Sequence, residues 1–140
     1  MSRTEDLQKI RERLASTGTS RKYTRASEEE LKKFYDTVQN NINSWFEESN
    51  NYFSSATDYY KGFDDSDYNL GKTTANEWYK TATSRGDALK TEADNINKIL
   101  SEYSRYFDSE WISQVRLAMS DTLKSKDSVT KKASDDLAYW

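Results

Sequence analysis

The chain has 140 residues, with 21 Lys/Arg against 24 Asp/Glu and a formal net charge of -3. It contains no Cys, no His and no Pro, which excludes disulfides, thiolate nucleophiles, Cys-based zinc sites and imidazole acid–base chemistry, and leaves long helices unbroken. A mean hydropathy of -1.07 approaches the disordered class, but ten Tyr, five Phe and four Trp supply large apolar areas to a slender core.

Residues 1–26 carry seven Lys/Arg and three Asp/Glu. A short helix is expected over 4–16, with Leu7, Ile10 and Leu14 on one face and Ser2/Glu5 at capping-box spacing. The stretch 17–26, TGTSRKYTRA, has no periodicity and reads as a linker. Together these residues form a basic arm, with Arg11, Arg13, Arg21, Lys22 and Arg25 as candidate contact residues. The arm also contains acids and has no recognition motif, so nucleic acid is disfavoured as a partner against an acidic protein surface.

Residues 27–140 are expected to form a helical bundle, with helices at about 27–61, 73–107 and 109–138. Ser27 with Glu30 makes a capping box for the first of these, and Gly62 offers a stop. Alternate steps of four and three from Leu31 give Tyr35, Val38, Ile42, Trp45, Ser49, Tyr52, Ala56, Tyr59 and Phe63. Such a seam buries one helix face against a partner helix. Phe34, Phe46, Phe53 and Tyr60 widen it, as suits contact with two neighbours.

The segment 62–72, GFDDSDYNLGK, reads as a turn. Thr74 with Glu77 offers a capping box for the next helix, whose seam is Ala75, Tyr79, Ala82, Gly86, Leu89, Ala93, Ile96, Leu100, Tyr103 and Phe107. Its small first half faces a region rich in Trp and Tyr if the two helices fold back on each other. Small against large permits close approach, which favours an antiparallel hairpin or three-helix bundle. Asp108 is the expected N-cap of the last helix, with Glu110 complementing the dipole. Lys126 and Asp136 fall on seam positions there, so that helix is expected to be partly covered or frayed.

The all-α, coiled-coil-seamed reading assigns no catalytic residue, cofactor or metal. Counting a calcium loop from Asp65 puts Asp67 and Asn69 in place, but Leu70 and Asn76 stand where Gly and Glu are needed. Gly71-Lys72-Thr73 resembles the end of a P-loop, yet position 66 is Ser instead of Gly. Glu47/Glu48 and Asp135/Asp136 are adjacent acids pointing to different sides of a helix. The candidate interaction seam is therefore Tyr35, Ile42, Trp45, Tyr52, Tyr59, Leu89, Ile96, Leu100 and Tyr103.

Across 73–140 the order Glu77-Trp78, EADNINKILSEYSRYF, DSEWISQV and DDLAYW resembles helical segments of tail-associated and tape-measure-like virion proteins from phages of Gram-positive bacteria. The resemblance implies a non-enzymatic structural or assembly protein, in the virion or the host cytoplasm during assembly, with itself or other virion proteins as partners. No site residues come with it, and tape measures are much longer than this chain. An alternative is a small helical-hairpin substrate of Gram-positive type VII secretion. Tyr60/Asp64 and Tyr106/Glu110 fit its export spacing, but about 1.7 matches are expected by chance and its Trp-x-Gly turn is absent. A phage-encoded inhibitor that binds a host protein through the acidic helix is a third reading. No apolar run reaches the length of a membrane span.

Overall fold

The computed structural model describes residues 25–63 and 67–140. These form three long helices: α1 (Arg25–Gly62), α2 (Tyr68–Glu102) and α3 (Ser109–Tyr139). A single 3-10 turn, Ser104–Tyr106, lies between the last two, and there is no strand among the described residues. The expected helix at 4–16 and residues 17–24 of the linker lie outside the described residues, whereas Arg25 and Ala26, expected in the linker, open the first helix.

Side-chain pairings fix the directions. Residues 34, 45, 52 and 59 of α1 meet residues 103, 89, 82 and 78, so α1 and α2 are antiparallel. Arg116 reaches Asn97, while the ring of Trp140 covers Gly71, so α2 and α3 are antiparallel too. Tyr35 meets Trp111 and Phe63 meets Trp140, which makes α1 and α3 parallel. The result is an up–down–up three-helix bundle, with α2 and α3 the most extensively packed pair.

Several boundaries differ from those expected, each for a visible reason. α1 already includes Arg25, so Ser27 and Glu30 lie within its first turns instead of before it. Gly62 is the last residue of α1, but no described glycine has a positive φ, so the left-handed glycine stop is not used. α2 starts at Tyr68, six residues before the expected Thr74 box. Asp67, with extended φ and ψ, caps it by accepting from the Leu70 amide at 3.2 Å. Gly71 is therefore a helical packing residue: a Cβ there would stand 2.7 Å from Trp140 Cη2. The early start also lets the Tyr68 hydroxyl donate to the Trp140 carbonyl at 2.7 Å.

At its other end α2 stops at Glu102, short of the expected 107. With neither Gly nor Pro available, the chain reverses through the 3-10 turn. Phe107 then becomes extended and buries its ring between Phe34 and Trp111. Asp108 caps α3 as expected, its Oδ1 accepting from the Glu110 amide at 3.1 Å. α3 runs unbroken to Tyr139, and of the two outcomes expected for it the structure shows the partly covered one, with Leu117 and Tyr139 exposed.

The core is layered by side-chain size. Phe34, Tyr103, Phe107 and Trp111 fill one end, and Tyr59, Phe63, Trp78 and Trp140 the other. Between them Trp45 and Tyr52, both 0% exposed, lie against Ala82, Leu89 and Ala93 of α2. At about 25 cal/mol per Å² of apolar area, burial of side chains this large dominates the gain that holds the rod together.

Candidate functional site

Most of the expected interaction seam is consumed inside the chain. Ile42, Trp45, Tyr52, Leu89, Ile96 and Leu100 are all buried. Trp45 donates its indole N–H to the Leu89 carbonyl at 2.9 Å, and Tyr52 donates its hydroxyl to the Ala82 carbonyl at 3.2 Å. Both polar atoms thus enter the core satisfied, as buried donors must. Tyr59 is half-buried and stacks on Trp78 with ring centroids 5.2 Å apart, and Tyr103 meets Phe34 edge-on at 5.1 Å. Only Tyr35, 36% exposed beside Phe107 and Trp111, keeps a substantial surface. These residues bind helix to helix within one molecule, so a partner must be met elsewhere. Of the basic arm, Arg25 begins α1, and Arg11, Arg13, Arg21 and Lys22 lie outside the described residues.

The seam irregularity at Lys126 has a steric explanation. Its side chain crosses Gly86, where a Cβ would come within 2.9 Å of Lys126 Cδ. The missing side chain on α2 leaves room for the lysine stem, while the ammonium reaches out to pair with Asp127. Lys126 is consequently 8% exposed without being an isolated buried charge. Gly86 was legible as a small seam residue; that it accommodates a lysine from the third helix was not.

Two surface depressions accompany this layer. A hollow of about 210 Å³ between α1 and α2 is lined by Glu48, Asn51, Tyr52, Arg85, Ala88 and Leu89. Arg85 crosses its floor, donating to Ser55 Oγ at 2.9 Å and lying over the Tyr52 ring at 5.6 Å. A groove of about 360 Å³ between α2 and α3 is lined by Lys90, Asn97, Arg116 and Lys124, with Lys126, Asp127, Ser120 and Leu123. Arg116 donates to the Asn97 carbonyl at 3.3 Å and to Ser101 Oγ at 2.6 Å, which anchors its guanidinium along the groove. No local sequence pattern marks the four cations of this groove, because their assembly depends on how α2 and α3 are aligned.

The ionisations that the fold shifts belong to tyrosines. Burial pushes the Tyr52 hydroxyl up to about 12, Arg85 opposing and Asp127 and Asp87 adding to the rise. Burial, reinforced by Asp136, likewise raises Tyr60 to about 12 and raises Tyr59. Lys132 Nζ lies 4.4 Å from the Tyr60 ring centroid. No group of three or more Asp/Glu suited to a metal ion occurs among the described residues. Asp67 serves as a helix cap and Asn69 lies within α2, as do Gly71, Lys72 and Thr73.

Comparison with family models, curated proteins and solved structures returns no match for this chain.

Proposed function

We propose that this chain is a non-enzymatic structural or assembly protein of a phage tail or related particle. It works by helix packing, with copies of itself or other virion proteins as partners, in the virion or in the host cytoplasm during assembly. The carrying observation is the closure of the aromatic seams inside one molecule, which leaves a rod whose partners meet its outer surface. The particle itself is suggested by the resemblance of residues 73–140 to tail-associated helical segments. No described helix is long and apolar enough to cross a membrane.

Mass spectrometry of purified particles from the phage or prophage that encodes the chain tests this. The expected result is a multicopy particle component. Absence from the particles, with recovery in a stoichiometric complex with a host protein, would replace the structural reading with an inhibitory one.

A further inference from the structure

We propose that the basic groove between α2 and α3 receives the acidic outer ridge of α1 from a second copy of this chain, so that copies stack front to back. This rests on the structural reading above and names its partner.

The two surfaces lie on opposite sides of the rod. In a three-helix bundle, the outer groove between two helices faces away from the third. The core stripe of α1 runs through Phe34, Val38, Ile42, Trp45 and Tyr52. Asp36, Glu47 and Asp58 stand on its exposed side. They are eleven residues apart, close to three full turns, so they form one row with steps of about 16 Å. No Lys or Arg occurs between Phe34 and Tyr60. The exposed positions between the acids include Asn40, Asn43 and Asn50, so the ridge combines negative charge with amide donors.

The groove complements both features. Lys90, Arg116, Lys124 and Lys126 line it against Asp127. Asp94 on its rim pairs with Lys90 at 2.7 Å, which leaves the groove net positive after both acids are counted. Ser120 and the exposed carboxylate of Asp127, which also line the groove, offer acceptors to the ridge amides. Leu117, 65% exposed, shares a face of α3 with Ser120 and Lys124 and offers apolar contact beside the charges.

A ridge on one side and a groove on the other make a heterologous contact, which propagates as an open stack instead of closing into a two-fold dimer. Individual exposed ion pairs contribute little. Pairwise affinity is therefore low and salt-sensitive, and lateral persistence comes from several contacts acting together.

Sedimentation of the purified chain from about 0.02 M to about 0.5 M salt tests the interface. At low salt the mass should rise above the 16.3 kDa monomer as concentration increases, and it should return to the monomer at high salt. Lys124→Glu and Glu47→Lys should each weaken association about tenfold or more. An equimolar mixture of the two variants should regain it, because each then offers the charge that the other's surface requires. Both positions are exposed, so thermal melts of the variants should overlay the wild type. A wild type that stays monomeric at low salt, association that persists at high salt, or charge reversals without effect would each overturn the proposal. A chain abundant in particles yet monomeric alone would remove this interface and leave the structural role standing. A chain that stacks as described yet is absent from particles would do the reverse.

Discussion

Trp45 carries the greatest single load. It is 0% exposed and also holds the Leu89 carbonyl. Trp45→Ala should destabilise the bundle by about 3–5 kcal/mol in urea titrations, and Trp45→Phe, which removes the indole's second ring together with its N–H, by about 2 kcal/mol. A loss well below 1 kcal/mol for the alanine variant would mean that the core is not closed around it. The buried tyrosines make a separate prediction. The unfolded chain releases their protons near pH 10, whereas the folded chain retains those of Tyr52 and Tyr60 to about 12. Their contribution is therefore complete below pH 10 and is lost as pH rises from 10 to 12. Thermal melts across that range should show falling stability, and the fall should become shallower in Tyr52→Phe and Tyr60→Phe. Equal slopes in all three chains would place the alkaline transition on other groups.

At the scale of the element, the seams were legible because a 3.5-residue repeat depends only on the spacing of apolar side chains. Trp45, Tyr52, Leu89 and Ile96 lie in the core where that spacing puts them. The ends of α2 were not legible. Thr74–Glu77 has the form of a cap, but tertiary contacts extend the helix back to Tyr68, capped by Asp67, where Tyr68 meets Trp140, 72 residues away in sequence, and Gly71 packs under its ring. Gly71 shows the competition directly. Gly71→Ala gains about 1 kcal/mol of helix propensity but pushes against the Trp140 ring. The gain should thus be visible in a Trp140→Ala background and diminished or reversed in the wild type. Identical shifts in midpoint temperature in both backgrounds would show that the contact carries no energy. The groove cations were equally hidden, since no local pattern relates Lys90 to Arg116 and Lys124 before α2 and α3 are set side by side.

The whole molecule should behave as one cooperative unit, because all three helices contribute to a single core cluster. Far-UV circular dichroism and tryptophan fluorescence should report the same unfolding midpoint: Trp45 and Trp78 sit in the buried cluster, with Trp111 packed against it at one end and Trp140 reaching the other. Separate transitions would mean that α1 detaches before the more extensively packed α2–α3 hairpin. An odd number of antiparallel passes also has a mechanical consequence. Arg25 and Trp140 lie at opposite ends of a rod whose α3 alone is about 46 Å long. A pull applied to those two points runs along the helix axes. It shears the aromatic layers at both ends and the Trp45–Tyr52 layer between them simultaneously, whereas a two-helix hairpin pulled from its adjacent termini would open one layer at a time. Resistance to tension is therefore built into the connectivity, and a chain of this form can bear load along its length without being a continuous helix.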